Sequence, residues 1–307
     1  MRVGEFELIA RHFSALGRGP GVSLGVGDDA AILSVPEGCE LVASVDTLVE
    51  GVHFPDDTFP EDIGYRCVAV AASDLAAMGA RPLAMTLALT LPDADDFWLH
   101  AFSEGLGQAS TAFRLPLVGG DTTRGPCVIS VQVFGVVECG AALLRSGAQP
   151  GDAVFVSGTL GDAAAGLALL QSRWQPEAVQ GEYLLDRYYR PTPRLVLGEK
   201  LSGIASAAVD VSDGLIQDLG HIAAASGCAV EIQAAALPLS AALRSHPDRQ
   251  QQLAWALGGG DDYELCITVP VDLLPPEGFT RIGSVTEGQG VRCADASIPE
   301  QPGYTHF

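Results

Sequence analysis

Aspartate recurs along this chain in short segments that also contain glycine or follow an apolar run. Five such segments stand out: GVGDDA, SVDTLVEGVHF, GGDTTRG, DVSDG and GGGDDYE. Carboxylate oxygens are the ligands that Mg²⁺ and Ca²⁺ prefer, whereas zinc favours grouped cysteine and histidine, which the sequence lacks. These segments predict an enzyme that holds divalent metal, with Mg²⁺ favoured, together with the polyphosphate of ATP.

The positions of these aspartates relative to predicted strands indicate that they face a ligand. Three of the segments follow apolar runs that predict strands, over residues 41–45, 115–118 and 207–211. Asp46, Asp121 and Asp210 are therefore expected where a strand gives way to a loop, which is the usual location of ligand-binding groups. The pair Asp28 and Asp29 is less informative, because two acids after a glycine also fit an ordinary turn.

Three other residues admit both a structural and a functional interpretation. Asp74 lies in a helical pattern over residues 61–78, where a buried carboxylate needs a partner; a metal is favoured, although an arginine or a helix cap would also serve. Asp213 either joins the metal site or caps the helix predicted over residues 215–225. His53 is a lone histidine, which is more often structural than functional. Only the neighbouring motif residues favour a functional role for it.

The charge balance limits the partners of the chain. Its 17 basic and 38 acidic residues give a formal charge of −21, so neither nucleic acid nor a membrane is expected as a partner. The same charge repels a nucleotide triphosphate, and an ATP site therefore requires divalent metal. Lys200 is the only lysine, and the GxxxxGK[ST] phosphate loop is absent. The segment GTLGDAAAG is better explained by a helix packed closely on a sheet than by phosphate binding.

Cysteine usage and hydropathy predict a cytoplasmic protein. The seven cysteines are scattered and never form CxxC, so they are expected to be reduced core residues. The opening residues, MRVGEFELIARHF, intersperse charges and lack the apolar stretch of a signal peptide. No apolar run approaches the ~20 residues that span a bilayer.

The pattern of helices and strands predicts a two-domain protein of the α/β or α+β class. Further helices are predicted over residues 5–14, 97–113, 161–170 and 193–201. Further strands are predicted over residues 83–91, 127–137, 153–157, 264–269 and 279–285. The turn-rich stretch GAALLRSGAQPGD separates two halves, so the predicted domains are residues 1–139 and 140–307.

Six motifs, in their order and spacing, resemble the thiamine-monophosphate kinase family: GVGDDAAIL, VDTLVEGVHF, SDLAAMGARP, VGGDTTRG, DVSDGLIQDLGHI and GGGDDYEL. The resemblance implies transfer of the γ-phosphate of ATP to thiamine monophosphate, giving thiamine diphosphate, with several Mg²⁺ ions. It also implies the two-domain fold of the wider aminoimidazole-ribotide synthetase superfamily. In that fold the N-terminal sheet pairs with its copy in a homodimer, and the nucleotide lies near a cleft of the N-terminal domain.

The resemblance assigns roles to individual residues. Those that match the family's magnesium ligands are Asp29, Ser44, Val45, Asp46, Asp74, Asp121, Asp210 and Asp213. Those that match its ATP contacts are Gly120, Asp121, Arg145 and Ser212. Those that match its thiamine-phosphate contacts are His53, Asp261 and Tyr304. No catalytic base is expected, because the second pKa of a phosphate monoester is near ~6 and the attacking oxygen is largely ionised at neutral pH.

Two residues depart from the family pattern. Val45 stands where relatives often carry threonine, so only its backbone carbonyl could bind metal. Asp261 stands where relatives often carry glutamate, and the shorter side chain changes its reach towards the substrate.

Two other functions stay open at this point. A sibling ATP-dependent enzyme, such as a ring-closing synthetase, shares the aspartate segments; selenophosphate synthesis is disfavoured because no reactive cysteine lies near the N-terminus. An acidic cation-binding protein without catalysis would bind magnesium but not ATP, and calorimetry distinguishes it from a kinase.

Overall fold

The computed structural model describes residues 5–300 and 302–305. It divides the chain into two compact units: unit 1 holds the residues up to Leu75 together with Ala80–Gly140, and unit 2 holds Ala76–Gly79 and the residues from Ala141 onward. The first four residues of the opening segment lie outside the described part. Within that part, no helix has the length and apolar character needed to cross a membrane.

Unit 1 is built on a four-stranded sheet. In chain order its elements are α1 (Glu5–His12), β1 (Val22–Leu24), β2 (Ile32–Leu33), β3 (Cys39–Val49), α2 (Pro60–Ala77), β4 (Arg81–Leu91), α3 (Asp96–Phe113), β5 (Leu117–Arg124) and β6 (Val128–Glu138). The strand order is β3-β6-β4-β5, with β4 and β5 parallel and the other neighbours antiparallel. Strands β1 and β2 form a separate antiparallel pair.

One face of this sheet is buried and lies against α2. Alternate residues of β3, including Ser44 and Asp46, share that face with Val131 and Val133 of β6, both fully buried. Leu75 of α2 lies beside Gly135 on the same face. The helix therefore delivers its own polar residue, Asp74, close to the strand that carries Ser44.

The opposite face of the sheet is covered only in part. Leu83 and Val136 belong to a small core that includes Val22 of β1. Further along the same face, Leu41 and Val45 of β3 are 49% and 59% exposed. Unit 1 thus presents an exposed apolar strip along one edge strand.

Unit 2 combines a six-stranded sheet with helices. Its elements are β7 (Ala153–Ser157), α4 (Asp162–Leu170), α5 (Ala178–Tyr189), α6 (Leu195–Gly198), β8 (Ala207–Asp210), α7 (Leu215–Ser226), β9 (Ala229–Ile232), α8 (Ala241–Arg244), α9 (Arg249–Gly258), β10 (Leu265–Val269), β11 (Phe279–Thr286) and β12 (Gly290–Cys293). The strand order is β12-β9-β11-β7-β10-β8. Strand β12 pairs with β9 in parallel, and the other neighbours are antiparallel. The core packs Val156 and Cys266 of the sheet with Leu219 of α7.

The mixed α/β class predicted from the sequence is confirmed, but the prediction that Asp46 and Asp121 follow the ends of strands is wrong. Strand β3 continues to Val49 because it pairs with β6 along its whole length. Strand β5 likewise continues to Arg124 beside β4. Both aspartates lie inside edge strands, where charged side chains are well tolerated.

Several elements of unit 2 were not predicted. They are α5, α8, α9, β9 and β12, while the helix predicted over residues 193–201 is the single turn α6. The seven cysteines are free thiols, as expected. Four of them are buried, but Cys139 is exposed beyond the end of β6 and is not a core residue.

Candidate functional site

Unit 1 brings Ser44, Asp46 and Asp74 to the buried face of its sheet. The Ser44 hydroxyl donates a hydrogen bond to Oδ2 of Asp74. Asp46 lies two residues further along the same face of β3, roughly 7 Å away along the strand. The side chain of Val45 points to the opposite face. The cluster therefore offers carboxylate and hydroxyl oxygens, and Val45 has only its backbone carbonyl to add.

Asp121 lies apart from that cluster within unit 1. The strand register places Asp46 of β3 in one row with Gly120 of β5, three strands away. Asp121 is the next residue of β5. Three strand spacings amount to roughly 14 Å. Asp46 and Asp121 therefore cannot bind the same metal ion within one copy of unit 1.

Asp28 and Asp29 are exposed at a turn, where the Asp29 amide donates to Oδ1 of Asp28 at 2.8 Å. Two residues just before this turn in the sequence, Gly25 and Val26, line an open cleft of about 620 Å³. Its other lining residues are Ser14, Ala15, Gly17 and Arg18. Arg18 is the charged residue among those that line the cleft.

His53 has a defined ring orientation. Its Nδ1 accepts a hydrogen bond from the Val49 amide at 3.0 Å, so Nε2 carries the proton of the neutral ring. The side chain is half-buried. His53 can thus donate a hydrogen bond from Nε2.

In unit 2, three segments meet beside the end of β8. Asp210 ends that strand and is 4% exposed. The Asp261 amide donates to the Ser212 carbonyl at 2.8 Å, and the Tyr304 amide donates to the Asp213 carbonyl at 3.0 Å. Residues that are far apart in sequence and that resemble ATP, metal and substrate contacts are therefore neighbours in unit 2.

Two glycines allow this close approach. A Cβ on Gly260 would collide with the Ser212 carbonyl, and one on Gly303 would collide with the Gln217 side chain. Gln217 donates through Nε2 to Oδ2 of Asp213 at 3.0 Å and to the Tyr304 carbonyl at 2.8 Å. Its amide group therefore joins the C-terminal segment to the loop that carries Asp213.

Asp213 does not cap α7. The N-cap residue of the helix is Gly214, and the Asp213 carboxylate accepts a hydrogen bond from the Gln217 side chain. Of the two interpretations that the sequence left open for Asp213, capping is thus excluded. Ser212 lies beyond the end of β8, so strand alternation does not fix its direction.

Asp218 organises this loop, and the sequence interpretation missed it. Its Oδ2 accepts hydrogen bonds from the amides of Ser212, Asp213 and Gly214 at 3.1, 3.1 and 3.0 Å. Burial, and then the negative charge of Asp210, raise the pKa of Asp218 to about 8. The sequence does contain a signal for Asp218, because this residue lies on the apolar face of a helix and a buried aspartate needs a partner.

The residue after Asp261 reaches the other way, into the interior of unit 2. Asp262 is 1% exposed, and its carboxylate accepts from the amides of Gly161 at 2.6 Å and Ala163 at 3.2 Å, at the start of α4. Burial, and then the charge of Asp162, raise the pKa of Asp262 well above its ordinary value. The amino end of α4 is therefore already bonded to a carboxylate.

Glu264 is fully buried and forms the centre of an ionic network. It accepts from the Ser157 hydroxyl at 2.6 Å, from Arg187 at 2.9 Å and from Nε of Arg194 at 2.6 Å. Charge-assisted bonds of this kind are strong when fully formed in the interior. The network fixes the segment that follows Asp261.

Arg145 belongs to unit 2 and is exposed. Its carbonyl accepts a hydrogen bond from the Ser226 hydroxyl at 3.2 Å, at the end of α7. The backbone at this position is thus anchored, and the guanidinium is available to a ligand in solvent.

Magnesium fits the oxygen donors of both units. In the part of the chain that the structure describes, no three Asp, Glu, His or Cys side chains converge closely enough to hold a metal by themselves. Mg²⁺ does not need such a cage, because it is usually bound by one or two carboxylates, water and substrate phosphates. Ser44 with Asp74, and the buried Asp210, provide donors of that kind. Burial, and then the charge of Asp210, raise the pKa of Asp218, and a cation bound nearby would offset the second of these causes.

Two family models match the chain. The model described as AIR synthase related protein, N-terminal domain, matches residues 27–137, and its C-terminal counterpart matches residues 149–295. The thiamine-monophosphate kinase of Salmonella typhimurium is 53% identical over 272 residues, which cover 88% of this chain and 84% of the relative.

Two solved structures extend the similarity to the fold. Thiamine-monophosphate kinase from Stenotrophomonas maltophilia K279a has a TM-score of 0.86 and 46% identity, covering 97% of this chain and 99% of that one. AaThiL complexed with AMPPCP and TMP has a TM-score of 0.82 and 35% identity, covering 100% of this chain and 99% of that one. The similarity therefore spans both units.

Proposed function

Because the chain belongs to the thiamine-monophosphate kinase family of the AIR synthase related proteins, it is an ATP-dependent kinase of thiamine monophosphate, and we propose that it transfers the γ-phosphate directly between its two substrates. The observation that carries this function is the sequence similarity to thiamine-monophosphate kinases, with 53% identity over 88% of the chain to one relative and 40% over 100% of it to another. A relative whose structure holds AMPPCP, an ATP analogue, together with TMP supports the pairing of substrates. The product is thiamine diphosphate.

The transfer proceeds in line and requires no general base. An oxygen of the substrate phosphate attacks the γ-phosphorus, the bond to the β,γ-bridging oxygen breaks, and ADP leaves. The attacking group is largely dianionic at neutral pH, since its second pKa is near ~6. The contribution of the protein is therefore to position two anionic substrates and to stabilise charge.

We propose that the oxygen donors of the two units hold Mg²⁺. In unit 1 they are Asp29, Ser44, the carbonyl of Val45, Asp46, Asp74 and Asp121; in unit 2 they are Asp210 and Asp213. When bound, the ions neutralise the phosphates. The wide separation of Asp46 and Asp121 across the sheet supports more than one ion.

Other residues are proposed as substrate contacts. We propose that Gly120, Asp121, Arg145 and Ser212 contact ATP, and that His53, Asp261 and Tyr304 contact thiamine monophosphate. The proton on Nε2 of His53 suits a phosphate oxygen as acceptor. The clustering of Ser212, Asp261 and Tyr304 supports their participation in one site.

We further propose that the protein is a homodimer. The exposed apolar strip that contains Leu41 and Val45 supports an interface along β3, because such a surface is costly in water. A second copy of unit 1 would cover this strip with the same surface. A cytoplasmic location, expected from the sequence, stays a prediction.

The function is tested by incubating the purified protein with ATP, magnesium and thiamine monophosphate and separating the products. Thiamine diphosphate and ADP in equal amounts are expected. ADP released with inorganic phosphate, and with no thiamine diphosphate, would contradict the proposal. Replacing thiamine monophosphate by thiamine is the control, because thiamine lacks the attacking phosphate.

A further inference from the structure

The GGGDDYE segment has an unusual backbone. Asp261 and Tyr263 both adopt left-handed conformations, with φ of 70° and 50°. Aspartate tolerates this region, but a bulky tyrosine rarely occupies it. Strained residues of this kind persist only where the surroundings fix them, and they cluster at functional sites.

The surroundings fix this segment from two sides. The amides of Asp261 and Tyr263 donate to the carbonyls of Ser212 and Val211, both at 2.8 Å. The side chain of Asp262, between them, is anchored at the start of α4. The contacts therefore alternate along the segment. Residues 261 and 263 bond to the backbone of residues 211 and 212, and residue 262 bonds to the start of α4.

The consequence is a carboxylate of fixed orientation. Tyr263 is 5% exposed, and its hydroxyl donates to Oδ1 of Asp261 at 2.8 Å. A buried ring keeps its hydroxyl in place. The hydrogen bond to Oδ1 therefore fixes the orientation of the Asp261 carboxylate before any ligand binds. A carboxylate that is oriented before binding loses less conformational entropy when a ligand arrives.

We propose that Tyr263 is a positioning residue that aims the Asp261 carboxylate at a cationic or N–H-donating group of thiamine monophosphate. The substrate offers both, in its thiazolium ring and its aminopyrimidine. This inference rests on the proposed role of Asp261 as a substrate contact. Aspartate is one methylene shorter than glutamate, and a fixed orientation lowers the entropy cost of binding through this shorter side chain.

Tyr263→Phe removes the hydroxyl and keeps the ring. The expected result is a rise in KM for thiamine monophosphate of about tenfold, the order of one hydrogen bond to a charged group. The KM for ATP is expected to stay within about twofold, because ordinary context effects are of that size. Partial unfolding would lower kcat but would change neither KM, so the comparison holds even if the variant is less stable.

Tyr183→Phe is the matched control. Tyr183 also donates its hydroxyl to a carboxylate in unit 2, that of Asp162 at 3.2 Å, and Asp162 is not a proposed substrate contact. Neither KM is expected to change in this variant. Equal effects of the two substitutions on the KM for thiamine monophosphate would overturn the inference.

A double-mutant cycle with Asp261→Asn separates positioning from general damage. Asparagine tolerates the left-handed backbone and removes the charge that is to be aimed. Tyr263→Phe is expected to add little to the KM of Asp261→Asn. An undiminished effect in that background, or an unchanged KM in Asp261→Asn itself, would overturn the inference. Neither result bears on the proposed function, because that proposal is tested by whether the wild-type protein makes thiamine diphosphate.

Discussion

Replacing Asp218 with asparagine tests whether a protonated carboxyl holds the loop that carries Ser212 and Asp213. Three amides bond to Oδ2 of Asp218, which leaves Oδ1 to carry a proton. Burial and the nearby Asp210 raise its pKa from 3.8 to about 8. Between those values the folded protein binds a proton that the unfolded chain has already lost.

The sign of the pH dependence follows from this difference. Because the folded state binds more protons, the free energy of unfolding falls as pH rises through the window, by up to about 1.4 kcal/mol per pH unit. From about pH 5 to about pH 7.5 the loss approaches roughly 3 kcal/mol. Asparagine has the shape of the protonated acid and does not titrate. Asp218→Asn should therefore match the wild type at the lower pH and exceed its stability at the higher one.

Urea unfolding of both proteins at the two pH values measures the effect. A chelator is included, because a bound cation would lower the pKa of Asp218 and hide the difference. Asp186→Asn, at an exposed helical position of unit 2, is the control and should show no pH-dependent change. If the stability difference between Asp218→Asn and the wild type is the same at both pH values, the reasoning from burial is refuted.

Three further predictions concern the metal, the interior and the surface. Asp46→Asn and Asp74→Asn should each lower kcat by about a hundredfold or more while circular dichroism is unchanged, since each removes charge stabilisation; near-normal rates at saturating magnesium would remove that residue from the metal site. Glu264→Gln should lower the free energy of unfolding by about 3 kcal/mol because two arginines lose their buried partner; calorimetry should find the thermal midpoint lower by several degrees, and an unchanged midpoint would contradict the network's role. Val45→Glu should shift the sedimentation coefficient to that of a monomer, and a persistent dimer would place the interface elsewhere.

The helices of unit 1 could be predicted because their signals are local. Apolar residues at helical spacing predicted a helix over residues 61–78, within a residue or two of the observed α2, Pro60–Ala77. The strands that carry Asp46 and Asp121 were predicted too short, because strand length is set by pairing with a neighbour and not by local composition. Likewise α9 begins with RQQQ, whose polar character gave no helical pattern.

The candidate site was partly accessible from the sequence. Residue types pointed to Asp210, Asp213 and Asp261, but their proximity depends on backbone hydrogen bonds that residue types do not reveal. Gln217 and Tyr304 are 87 positions apart, and no local pattern connects them. Asp218 lies outside the glycine-flanked segments, but its position on the apolar face of a helix is as informative as that of Asp74.

The start of α4 differs from a helix end that is ready to bind phosphate. A strand, a glycine turn and a helix follow one another from Ala153 to Leu170, which is the setting in which many α/β proteins receive a nucleotide. Here Asp262 already takes up amides that an incoming phosphate would need. The chain supplies its own anion at this position, so a phosphate could bind there only by displacing the Asp262 carboxylate. Cations, in contrast, are attracted to the carboxylates proposed above as metal ligands.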